Sequence, residues 1–287
     1  AMSRAYINGS GDVKDRYLVL IGDDNLKDLE GNTFNIPGLN THEAKFQDMG
    51  NWLYQLEVKA SDATEVKLTA NYNGKIQYFK GSESNTEKLI AGAQTEYPLR
   101  LVYDFKTNYF ISGLINVDNS VITDPITLKE VMIVRQNHEE AKTIKVSGAG
   151  SVTAEKIYGV MTFDKATLND GTKKQYERAL YWVSFPFDVK LDEVFGFGNY
   201  GEHWIMEYYD GAERAEKGLW VDAGTYWKYI ENPDTTLRAG QGYVLCLDLD
   251  LLGEDATFWY NNNTEIALYF PSAGSNITIN SDPTLAT

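Results

Sequence analysis

A single cysteine, Cys246, excludes an internal disulfide and a thiolate metal cluster. Its setting, Tyr243-Val244-Leu245-Cys246-Leu247, reads as a small buried apolar position. So little cysteine fits a cytosol or a bacterial exterior, and does not fit a small disulfide-dense scaffold. Histidine is almost as scarce. His42, His138 and His203 stand far apart, and His138-Glu139-Glu140 misses the His-x-x-x-His register that puts two imidazoles on one helical face. That cluster reads as a solvated charged turn. No Gly-x-Ser-x-Gly elbow surrounds Ser184. Neither Gly196-Phe197-Gly198 nor Gly240-Gln241-Gly242 is followed by the Lys-Ser/Thr of a phosphate loop. The expectation is no catalytic residue, no metal and no cofactor.

Positive charge is short as well. Against 41 acidic residues stand 26 basic ones, for a net charge of −15, and no Lys/Arg cluster breaks that field. Nucleic acid and anionic lipid are repelled by it, whereas neutral glycans and cationic partners are tolerated. No apolar run approaches the ~20 residues of a membrane span, so no membrane insertion is expected. Ala1-Met2-Ser3 reads as a cloning remnant, with an export segment removed ahead of it.

Aromatic residues are abundant: 19 Tyr, 12 Phe and 6 Trp. They favour strands, where they fill a pleated, half-buried surface. Period-two runs bear this out along the chain. Trp52, Tyr54, Leu56 and Val58 share one face against Gln55, Glu57 and Lys59. Val66 to Tyr72 repeats the pattern, and Asn73-Gly74 supplies a hairpin turn into Lys75-Ile76-Gln77-Tyr78-Phe79. Helical periodicity is weak, with short candidates only at 137–142 and 192–195. The expected fold is all-β, as two β-sandwich-like modules: residues 1–118, and a larger β-rich unit over 119–287. The boundary falls in the polar stretch before Pro125.

Several motifs in the second half belong together. They are Val131-Met132-Ile133-Val134-Arg135, Tyr158-Gly159-Val160-Met161-Thr162-Phe163, Trp182-Val183-Ser184-Phe185-Pro186-Phe187-Asp188, Val194-Phe195-Gly196-Phe197-Gly198, Tyr208-Tyr209-Asp210-Gly211 and Gly240-Gln241-Gly242-Tyr243. This set resembles a recurrent segment of large cell-surface proteins of gut Bacteroidetes. The opening, Tyr17 to Asp23 followed by Asn51-Trp52-Leu53-Tyr54, is similar to starch-utilisation outer-membrane lipoprotein domains, which bind glycans through exposed aromatics. These resemblances imply an extracellular or outer-membrane surface location and a non-catalytic role in glycan binding or adhesion.

The candidate ligand-binding residues are Trp204, Tyr208, Tyr209, Trp220, Tyr226 and Trp227, crowded together with Asp210, Glu213, Arg214 and Asp222. Indole and phenol rings cover the apolar faces of sugars while short polar groups bond the hydroxyls, the usual mix of a polar ligand site. A neutral polysaccharide or host glycan is the expected partner. Two other classes stay open. Paired carboxylates, drawn from Asp188, Asp192, Glu193, Asp248, Asp250, Glu254 and Asp255, would suit a glycan hydrolase. A structural spacer or adhesin stalk would need no site. Asp248-x-Asp250 lacks the rest of an EF-hand loop.

Overall fold

The computed structural model describes residues 18–61, 64–72, 75–90, 97–115, 121–142, 144–218, 226–256, 258–259, 263–274 and 276–280. Strands take 48% of the chain and helix 10%, in several sheets, so the fold is all-β with sandwich-like modules. Two compact units emerge. One comprises residues 1–133, 142–157 and 276–286, and the other 134–141 and 158–275.

In the first unit, a four-stranded sheet runs in the order β2 (Glu43–Lys45), β1 (Leu18–Ile21), β5 (Lys67–Tyr72), β6 (Lys75–Lys80). Leu18, Leu20, Leu68 and Ala70 are fully buried in it. Asn73 and Gly74 lie outside the described residues, but the strands flanking them pair antiparallel, Tyr72 opposite Lys75. A second run of strands begins with β3 (Gln47–Asp48), then β4 (Leu53–Lys59), β7 (Pro98–Asp104) and β8 (Tyr109–Leu114). Short β9 (Val121–Ile122) pairs with β11 (Lys145–Val146), both parallel. Parallel pairing also joins β8 to β10 (Pro125–Gln136). Last come the first half of β12 (Ser151–Asp164) and β21 (Ile277–Asn280), paired antiparallel.

Trp52 departs from the period-two reading. It sits in the turn between β3 and β4, not in the strand. Leu53 N–H bonds the Gly50 carbonyl at 3.0 Å, and Asn51 and Trp52 take φ of 48° and 68°. Two consecutive left-handed residues make the type I′ turn whose twist matches a hairpin. Closing that turn outweighs the side chain's preference for a strand.

Glu130 on β10 is 1% exposed. Tyr109 OH donates to its Oε1 at 3.3 Å, Ser112 N–H to its Oε2 at 3.4 Å, and Lys129 Nζ stands 4.0 Å away. Burial pushes its carboxyl up to about 7, against the pull of Lys129 and these two donors, with Glu155 adding a smaller push upward. Raised above its ordinary 4.5, the group keeps a proton in the folded chain that the unfolded chain releases. Its neutral-form stabilisation is therefore full below pH about 4.5 and lost as pH rises through about 7. Glu130→Gln removes the ionisation. Urea unfolding at pH 4.5, 6 and 8 should show parent and variant close at the lowest pH. At pH 8 the variant should be more stable by up to roughly 3 kcal/mol. Parallel stability curves would show that Glu130 ionises freely in the fold.

The second unit is a sandwich of two layers. One is a four-stranded sheet in the order β13 (Leu180–Ser184), β19 (Gly242–Leu247), β16 (Trp204–Tyr209), β17 (Trp227–Tyr229). The other holds β15 (Phe195–Gly196), β20 (Glu265–Pro271) and residues 158–164 of β12. Between them lies one apolar core, to which Tyr181, Trp204, Met206 and Leu245 come from the first layer and Phe163, Leu268 and Phe270 from the second. Phe163 stands edge-on to Tyr181 at 4.8 Å, an attractive aromatic geometry. A small pair, β14 (Val189–Lys190) with β18 (Thr236–Leu237), closes one end. Gly196 is irreplaceable in this layer. Its φ is 135°, and a Cβ there would meet the Ala267 carbonyl oxygen at 2.1 Å.

Candidate functional site

The site begins with a corner. β13 ends at Ser184, and Phe185-Pro186-Phe187-Asp188 turns away beneath the loop Arg238-Ala239-Gly240. Gly240 N–H donates to the Phe185 carbonyl at 2.8 Å. Asp188 accepts from Ala239 N–H at 2.8 Å and from Arg238 Nη1 at 2.9 Å. Tyr243 OH accepts from Arg238 N–H at 2.7 Å. Asp188 is held below the usual carboxylate range, first by the Ala239 N–H and then by Arg238. The Phe-Pro-Phe-Asp and Arg-Ala-Gly-Gln-Gly-Tyr motifs are thus two halves of one clasp. They fix the register in which Ser184 opposes Gly242 and Trp182 opposes Val244.

Register then decides which aromatics face water. Successive strand side chains point to opposite faces. Tyr181 and Val183 go into the core, so Leu180, Trp182 and Ser184 go out. Reading across the outer face, Trp182, Val244, Glu207 and Tyr229 form one row by their pairings. Ser184 and Gly242 lie in the neighbouring row, as do the partners Tyr209 and Trp227. Trp182 and Trp227 arise from the two outer strands, yet their rings meet edge-on at 5.0 Å. They must therefore reach over the two strands between them, where Val244 is only 4% exposed. Tyr209 adjoins Trp227 at 5.1 Å.

Neighbouring polar groups hold this ridge in place. Arg135 Nη1 donates to the Trp182 carbonyl at 2.7 Å, occupying the outer edge of β13. The helix Gly211–Lys217 is capped by Asp210, whose carboxylate accepts from Glu213 N–H at 2.9 Å. From that helix Arg214 Nη1 reaches the Tyr209 hydroxyl at 2.7 Å. Glu213 pairs with Lys217 and, at 2.8 Å, with Lys228 of β17. Those two lysines pull its carboxyl down to about 2. Cys246 also faces outward, beside Glu207. Burial, and then Glu207, push its thiol up to about 12, so it stays protonated and unreactive near neutral pH.

Of the six candidates from the sequence, Tyr209 and Trp227 are on this outer face, both half-buried. Trp204 and Tyr226 are core residues, 3% and 1% exposed, and offer no ring to a ligand. Trp204 packs edge-on to Tyr200 at 4.9 Å. Tyr208 points inward and packs against the core. Trp220 lies outside the described residues. Trp182, 63% exposed, and its neighbours Glu207, Ser184 and Gly242 were not among the candidates. Their signal is there in Leu180-Tyr181-Trp182-Val183-Ser184, where the polar Ser184 shares a face with Trp182.

His138, His203 and Asp248 have structural roles. His138 stacks flat on Tyr181 at 4.3 Å, and its Nε2 lies 3.0 Å from the Glu177 carbonyl. His203 Nδ1 accepts from Asn199 N–H at 3.0 Å. Asp248 closes a turn by accepting from Asp250 and Leu251 N–H groups at 3.0 and 3.1 Å. Among the described residues no group of three or more His, Cys, Asp or Glu is placed to hold a metal ion, and no helix is long and apolar enough to cross a membrane. No family model, curated protein or solved structure matches this chain.

The two faces of this sheet should separate in stability measurements. Trp204→Ala should cost about 3–5 kcal/mol as a core deletion. Trp182→Ala should cost under about 1 kcal/mol, as a surface change does. Equal losses in guanidinium unfolding would mean that the Trp182 ring is packed as core.

Proposed function

We propose that this chain is a non-catalytic module of a bacterial cell-surface protein, and that it holds a neutral glycan on the outer face of the β13–β19–β16–β17 sheet. The observation that carries the reading is Trp182, 63% exposed, with its ring set edge-on against Trp227, which in turn adjoins Tyr209. Sugars bury their C–H faces on such rings and bond their hydroxyls to groups like Glu207 and Ser184. The net charge of −15 disfavours polyanions and leaves neutral chains acceptable. If a ring contributes ~1 kcal/mol, the low end of aromatic–base stacking, two rings and a few solvent-competed hydrogen bonds give micromolar-to-millimolar affinity. Arrays of such modules on a surface would gain by avidity.

Hydrolysis recruits two carboxyls roughly 5–9.5 Å apart. The strands of this sheet carry one carboxylate, Glu207, which favours holding a glycan over cutting it. A spacer or stalk would have no use for an ordered aromatic ridge. A glycan array followed by titration calorimetry tests the reading. At least one neutral glycan should bind, with Trp182→Ala and Trp227→Ala each weakening it by about fivefold or more, the equivalent of ~1 kcal/mol. Absence of binding at millimolar sugar would favour the spacer, and binding untouched by both substitutions would put the glycan on another surface and overturn this one. Release of reducing sugar would favour the hydrolase.

A further inference from the structure

The geometry points to a site for one pyranose at a chain end, in place of a platform for the body of a polysaccharide; this rests on the glycan-binding reading above. An extended chain lies across rings that share a plane. Among the described residues, the adjoining rings of the ridge do not. Trp182 and Trp227 are inclined at 76° and Trp227 and Tyr209 at 56°. Two indoles at nearly right angles make a corner, with one face to stack on and one wall beside it. A single sugar ring, with an apolar face and a rim of hydroxyls, has the shape to fill such a corner.

Gly242 gives the corner its depth. Ser184 stands opposite Gly242 across the β13–β19 pair, and Gly242 itself carries no side chain. A Cβ built on Gly242 would meet no atom within 4 Å, so the space above it is open. Polar groups share this face: the exposed Ser184, whose hydroxyl makes no hydrogen bond among the described residues, and, opposite Val244, the half-buried Glu207, which also accepts from the Cys246 thiol. Tyr209 OH, already bonded to Arg214, can still donate. These are short groups for a hydroxyl rim.

Two measurements on the whole chain test this together. Calorimetry compares the methyl glycoside, disaccharide and hexasaccharide of the gluco, galacto and manno series. Affinity per mole of chain should stay within about threefold across lengths in whichever series binds, because every length has one non-reducing end. Gly242→Val places a β-branched side chain in the opening on a strand that accepts it. It should leave the unfolding midpoint close to that of the parent and reduce glycan binding at least tenfold. Affinity rising more than tenfold from methyl glycoside to hexasaccharide would overturn the chain-end assignment while leaving glycan binding intact. So would a folded Gly242→Val variant that binds as the parent does. Failure of every series to bind would remove the glycan reading itself, and this inference with it.

Discussion

Everything in the second unit follows from strand alternation held in one register. A strand that puts Tyr181 and Val183 into the core must put Trp182 and Ser184 outside it, and a slip of one residue would exchange the two sets. The clasp built from Phe185, Asp188, Arg238, Gly240 and Tyr243 stands where such a slip would begin. Its bonds are short and mutually dependent. Breaking the Tyr243 contact, for instance, would leave the Arg238 N–H without its acceptor in a half-buried position, which costs more than the bond itself contributes. The exposed tryptophan and the buried tyrosine are thus consequences of one constraint.

Most of the charges around the ridge are paired off. Glu213 absorbs Lys217 and Lys228, Asp188 absorbs Arg238, and Arg135 is spent on two carbonyls. Cys246 is held as a thiol. The outer face is left with aromatic surface, the Ser184 hydroxyl and the Glu207 carboxylate, the last bonded to the Cys246 thiol. The carboxyl pushed strongly upward, Glu130, lies in the first unit and reports on burial within its own strands.

The sequence made the β class legible because period two is visible without knowing which face is buried. It could not show that choice for strands apolar on both sides. In residues 204–227 the crowding of aromatics was real, but the opposing layer sets which rings it covers, and it covers Trp204 while leaving Tyr209 and Trp227 partly open. Trp182 sits between two apolar neighbours, so in the sequence it reads as core. The helix Gly211–Lys217 gave no periodic signal either. It has no buried residue and stands on its Asp210 cap and the Glu213–Lys217 pair. Trp52 went to a turn because the hairpin's twist required left-handed backbone there.

The account turns on which indoles meet solvent in the native protein. Brief N-bromosuccinimide oxidation, with modified residues located by mass spectrometry, reads this out directly. Trp182 should oxidise first and Trp227 more slowly, while Trp204 and Trp259, 3% and 6% exposed, should stay protected until the chain unfolds. Protection of Trp182 equal to that of Trp204 would contradict the account, since the outer face would then be covered and no ligand could reach the ridge.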